Sequence, residues 1–164
     1  MNLSLEYGIM LFSAVITLLL LIFAVNWRYF RDWVTVFFFK SFLDLIGGSY
    51  VVEAHLIKYP VRFFSSLYDT SLLFEIWVFP VLCILYNQAT RERGMWPIIY
   101  YAFLFSAGIT VIEVSLEVYT ELIEYINWHW YTTFFSLTVA FLISRAFLGF
   151  FRWGCDYFSF RPFR

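Results

Sequence analysis

Long apolar runs recur along the chain, separated by short polar and aromatic stretches. A helical membrane span needs about 20 mostly apolar residues, and five runs approach that length. The first covers residues 3–25, with Glu6 as its only charge. No basic residue precedes it and it exits through Phe23-Ala24-Val25-Asn26, so a retained span is predicted rather than a cleaved signal peptide. The second, 34–57, places Lys40, Asp44, Gly47, Gly48 and His55 within one helical face and Glu53 opposite, and Tyr59-Pro60 ends it. The third, 70–86, contains Glu75 and Pro80. Proline removes a backbone donor, so a kink is predicted there, with the freed carbonyl satisfied by a neighbour. The fourth, 95–118, has Pro97 in its first turn, where proline is favoured. The fifth, 128–151, carries Arg145.

Within the fourth run and just beyond it, Glu113, Glu117, Glu121 and Glu124 fall on one helical face, with Ser106, Thr110 and Thr120. Such a stripe is costly in lipid unless protein or water answers it. Asn26–Trp33 and Asn127–Tyr131 mix polar and aromatic residues as interfacial belts do. The pattern predicts an all-α integral membrane protein: one domain, residues 1–164, forming a five-transmembrane-helix bundle with an arginine and aromatic tail over 152–164.

Composition narrows the class. The 164 residues are 62% hydrophobic and only 14% charged, against about a quarter charged in soluble domains. Net charge is −1, so its distribution matters more than its sum. No dense basic run points to nucleic acid. Cys83 and Cys155 lack metal-ligand spacing, and no disulfide is expected between them. With the N-terminus outside, the inner connections hold Arg28, Arg31, Arg91, Arg93, Arg152, Arg161 and Arg164, and the outer ones Lys58 and Arg62. That bias predicts an outside N-terminus and a cytoplasmic C-terminus. Arg152, Arg161 and Arg164 are then placed to meet anionic lipid. Gly47-Gly48 and Ala107-Gly108 both fall near mid-membrane, where segments 2 and 4 could approach closely.

This topology sorts the charges by depth. Lys40, Asp44 and Arg145 form an inner group: Lys40 and Asp44 can pair along one helix, and Arg145 could be the second partner of Asp44. Glu113, Glu117, Glu75, His55 and Glu53 form an outer acidic group, read as the wall of an outward cavity, with His129 near it. Two histidines without His-x-x-x-His spacing do not specify a metal. No G-x-S-x-G, P-loop or other catalytic constellation is present, and nothing calls for a cofactor.

Two stretches carry a resemblance. Tyr59-Pro60-Val61-Arg62-Phe63, and Glu117 through Tyr119-Thr120 to Trp128-His129-Trp130-Tyr131, resemble those of small uncharacterised multi-pass membrane proteins of Bacillus- and Clostridium-type bacteria. The resemblance implies a bacterial cytoplasmic membrane and supplies no catalytic residues. In length, helix number and aromatic content the chain is also similar to the tryptophan-rich sensory proteins, which bind porphyrins, but it lacks their proline- and tryptophan-rich motifs. The expected function is a non-enzymatic role in sensing, assembly or envelope physiology around an acidic cavity. A small oligomeric proton- or cation-coupled carrier is the alternative, and a membrane-embedded enzyme or flat-ligand binder the third reading.

Overall fold

A computed structural model describes residues 3–63 and 68–159. It is mostly helical. In chain order come α1 (Leu3–Phe23), a 3-10 turn (Trp27–Tyr29), α2 (Phe30–Glu53), β1 (Ile57–Lys58), a π-turn (Phe74–Val78) leading into α3 (Phe79–Ala89), α4 (Met95–Tyr119), β2 (Glu124–Tyr125) and α5 (Trp130–Ser159). Four of the helical stretches are long and apolar enough to cross a membrane: Ser4–Phe23, Trp27–Glu53, Met95–Tyr119 and Trp130–Phe158. The third predicted run is shorter, Phe74–Ala89. At 1.5 Å per residue it reaches about 24 Å, against a hydrocarbon core of about 30 Å. The last helix continues through the residues assigned to a tail as far as Ser159. Arg161 and Arg164 lie outside the described residues.

The helices alternate in direction between two ends. At one end β1 pairs antiparallel with β2, Ile57 opposite Tyr125 and Lys58 opposite Glu124. This hairpin end also holds the start of α1, where Glu6 Oε1 accepts the Glu121 backbone N–H at 3.1 Å. At the other, arginine end, Gln88 of α3 donates to the Ala24 carbonyl and accepts from the Asn26 N–H, tying down the turn after α1.

The main core lies between α2, α3, α4 and α5, around Trp33, Val36, Ile84, Tyr86, Phe141 and Leu148. Phe39 and Phe147 stack across α2 and α5 with centroids 3.8 Å apart. A second cluster, Met10, Val61 and Leu122, sits under α1 at the hairpin end. Among the helices, α1 packs mainly on the π-turn and α3. Most of its outer surface is bare, with Leu11, Phe12 and Phe23 more than half exposed. Between apolar helices in lipid, cohesion comes from close van der Waals packing and interhelical hydrogen bonds rather than from water exclusion.

The π-turn is the local answer to Pro80. Proline has no N–H for the carbonyl four residues back, that of Ile76. Ser41 of α2 shares its hydroxyl proton between the Phe37 carbonyl of its own helix at 2.9 Å and the Ile76 carbonyl at 3.3 Å, and the Phe79 N–H reaches five residues back to Phe74. The wider turn carries Trp77 toward α1, where its indole N–H donates to Thr17 Oγ1 at 3.0 Å. The carbonyl that Pro80 frees is thus partly satisfied by a neighbouring helix, the kind of repair expected from sequence.

The glycines act differently from expectation. Gly47 and Gly108 have no heavy atom within 4 Å of where a Cβ would lie, so they do not join α2 to α4. Gly48 faces the Glu75 side chain of the π-turn instead.

Candidate functional site: a cavity between α1, α3 and α4

Because α1 and α4 make no extended contact, a cavity of about 640 Å³ remains between them. The π-turn and the start of α3 form its floor. Apolar side chains such as Ile9, Phe12, Ile16, Leu82 and Ile112 make most of its wall. A smaller groove lined by Ile16, Leu19, Leu20, Phe23 and Ala24 extends the apolar surface along α1 toward the arginine end. From Ile9 to Ala24 the helix rises about 22 Å.

The polar groups converge on the hairpin-end half. Glu75, Glu113, Tyr59, Ser71, Ser13 and Thr17 line the cavity. Ser13 and Thr17 spend their hydroxyl protons on α1 carbonyls. Glu75 is 4% exposed, and neither of its carboxyl oxygens has a hydrogen-bond partner. Its position follows from the π-turn, which turns it toward α2, and from Gly48, which leaves it room. A buried carboxyl without a partner is costly; the Thr70 hydroxyl, also buried without a partner, and the Lys40–Asp44 pair are the polar groups near Glu75.

Glu113 is held from the other side. Tyr125 of β2 donates its hydroxyl to Glu113 Oε1 at 2.6 Å, and Thr133 of α5 donates to the same oxygen at 2.9 Å. Thr133 is itself fixed by the Trp128 indole N–H at 2.7 Å. Burial, together with the charge and hydrogen bond of Glu113, pushes the Tyr125 hydroxyl above the usual phenol range. Burial, with the carboxyls of Glu113 and Glu75 nearby, does the same to Tyr59. Both phenols therefore stay protonated and can donate.

The remaining sequence-predicted residues scatter. Glu117 is partly buried one turn beyond Glu113 and is not among the residues lining the cavity. Glu53 and His55 are exposed. His55 has φ of 55°, and the N–H groups of His55 and Leu56 return to the carbonyls of Val52 and Val51. It is the left-handed closing residue of α2, a place usually taken by glycine. His129 stacks on Tyr131 at the surface. Lys40 is 1% exposed and forms an ion pair with Asp44, while Asp44 Oδ2 is left unpartnered.

Arg145 does not join the Lys40–Asp44 pair. Its Nη2 donates to the backbone carbonyls of Thr90 and Arg91, 3.2 and 3.0 Å away, capping the end of α3. Three other residues meet at the arginine end: Asp32 Oδ2 accepts from Arg91 Nη1 at 2.5 Å and from Arg152 Nη2 at 2.7 Å. These partners stand 59 and 120 residues apart, and no local spacing announces them.

The two stretches that carried the family resemblance fold around the hairpin end. Arg62 ties its loop together by donating to the carbonyls of Tyr59 and Tyr68 and to Asp69. The second stretch supplies Tyr125 and Trp128 to the Glu113 cluster. Compared with family models, curated proteins and solved structures, the chain matches none. Among the described residues no three His, Cys, Asp or Glu side chains gather as a metal site would need.

Proposed function

We propose that this is a non-enzymatic protein of a bacterial cytoplasmic membrane that binds a long-chain amphiphile in the cavity between α1, α3 and α4. The observation that carries this reading is the contrast within one space. The wall is almost wholly apolar, yet Glu75, one of its lining residues, keeps two buried carboxyl oxygens without a hydrogen-bond partner just behind that wall, turned toward Gly48 of α2. A molecule with a hydroxyl or amine head and a hydrocarbon tail answers both features: its head satisfies Glu75 and its tail lies along the apolar wall of α1. Small-molecule sites commonly combine a largely apolar wall with a few placed polar groups.

In this reading all five helical stretches cross the bilayer, with Phe74–Ala89 as a short, protein-covered span. The excess of arginine at one end sets that end in the cytoplasm and the hairpin end outside. Entry is sideways, from the outer leaflet between α1 and α4, rather than from water. The acidic cavity expected from sequence is then narrower in its acids and far more apolar, because Glu53, His55 and Glu117 stand apart from it. A sensing or carrier-protein role for the bound amphiphile is compatible with the lateral opening.

Binding of a brominated long-chain amine and of the matching methyl ester, which has no donor, tests the proposal in protein reconstituted at known lipid ratios. Saturable quenching of tryptophan fluorescence by the amine, weakened in Glu75→Leu and in the cavity-filling variant Ile112→Phe, is expected. Equal behaviour of amine and ester in the wild type and both variants overturns it. Proton or cation flux across sealed vesicles that disappears in Glu113→Gln or Glu117→Gln would also overturn it, in favour of an ion-coupled carrier.

A further inference from the structure

At the end opposite the cavity a second crevice, of about 370 Å³, opens among Arg28, Arg31, Arg91 and Arg152, with Asp32 and Asp156. Four arginines against two aspartates leave an excess of positive charge. We propose that this crevice is a site for a phosphate group, supplied by the headgroup of an anionic lipid.

Its construction supports this. Asp32 is 5% exposed and uses one oxygen, Oδ2, to hold Arg91 Nη1 at 2.5 Å and Arg152 Nε and Nη2 at 3.1 and 2.7 Å. Two guanidinium groups that would repel each other are thereby fixed side by side. The Arg91 guanidinium also lies against the Tyr29 ring, 3.3 Å from its centroid. Arg91 keeps its Nε and Nη2 donors, and Arg152 its Nη1, beyond what Asp32 uses. Guanidinium forks suit phosphate oxygens, and fixing them in advance lowers the ordering cost of binding. Arg28 and Arg31 are exposed and have no salt-bridge partner among the described residues. They add charge at the rim; Arg31 also lies over the Phe151 ring of α5, 5.9 Å from its centroid.

The surroundings favour a lipid as the source. Trp27, Phe30 and Trp153 are 42%, 59% and 60% exposed beside these arginines, as in a layer that sits at headgroup depth. Anionic headgroups of a cytoplasmic leaflet attract arginines at about 1 kcal/mol each.

The test uses the full chain in phosphatidylcholine nanodiscs doped with phosphatidic acid. Native mass spectrometry counts retained lipid, and thermal unfolding with millimolar inorganic phosphate reports a soluble anion. Wild type is expected to retain phosphatidic acid over phosphatidylcholine, and Arg28→Gln/Arg31→Gln to lose roughly tenfold or more of that preference. Asp156→Asn, which removes a negative charge from the rim, is expected to strengthen it. Stabilisation by inorganic phosphate without any lipid preference would show a phosphate site fed from the cytoplasm and would overturn the lipid source. No difference between wild type and either variant, for lipid and for phosphate, overturns the site itself. Neither rim arginine makes a hydrogen bond through its side chain among the described residues, so misfolding of the variants is not expected; their unfolding temperatures check it.

Discussion

The carboxyl group of Glu75 lies where a side chain at Gly48 would begin. A Cβ built on Gly48 would stand 2.6 Å from Glu75 Cδ and closer still to Oε1. The absence of a side chain on α2 is therefore what lets the π-turn bury its acid.

Gly48→Ala should accordingly displace Glu75 and cost roughly 1–3 kcal/mol, as overpacking does. Gly47→Ala, one residue away with open space around its Cβ position, should be neutral or stabilise by up to about 1 kcal/mol. Thermal unfolding of the two variants in the same lipid would show opposite shifts. Equal shifts would mean that Glu75 moves aside freely.

Ser41 and Pro80 form a second linked pair through the Ile76 carbonyl. Ser41→Ala should cost about 0.5–1.5 kcal/mol by leaving that carbonyl without a donor. In a Pro80→Ala background the restored N–H takes over, and the cost should shrink. A double-mutant cycle measures the coupling, and strict additivity would show that the serine does nothing for the proline.

His55 closes α2 in a conformation that glycine adopts without steric cost. His55→Gly should therefore stabilise the protein or leave it unchanged, by up to about 1 kcal/mol, and leave amphiphile binding intact. A loss of binding would place His55 at the site after all.

Alkaline pH should weaken the fold through Tyr59 and Tyr125. Both hydroxyls are held above the ordinary phenol value of about 10 in the folded chain. Below pH 10 folded and unfolded forms are both protonated and these residues add no slope. Above it, the unfolded chain releases protons that the folded chain keeps, so stability falls as pH rises. Tyr125→Phe should make the decline shallower in pH-dependent unfolding between pH 9 and 11.

Much of this architecture can be read from the chain. The apolar runs predict the helices, Pro80 its own repair, Lys40 and Asp44 their pairing at a spacing of one turn, and the acidic face of α4 a need for partners. Each of these signals is local. What escapes is set by tertiary placement. Asp32 reads as part of an interfacial belt until α3 and α5 deliver Arg91 and Arg152. Arg145 is matched by depth to Asp44 but finds the carbonyls ending α3. The partner of Gly48 emerges only once the π-turn has rotated Glu75 toward α2. His55 shares a helical face with Lys40 and Asp44 only while the helix continues; α2 ends at Glu53, and the turn directs the imidazole elsewhere.

The attachments of α1 have a consequence for how this sequence can change over evolutionary time. The helix is anchored near its start by Glu6 on the Glu121 N–H, midway by Trp77 on Thr17, and after its end by Gln88 on the Ala24 carbonyl and the Asn26 N–H. The first and last of these bind main-chain atoms, which no substitution short of proline removes. The exposed apolar positions between them need only remain apolar. Distant descendants could thus replace nearly the whole outward face of α1 and keep the helix in place, so a relative would be traced better by its few tethering positions than by its overall identity along this segment.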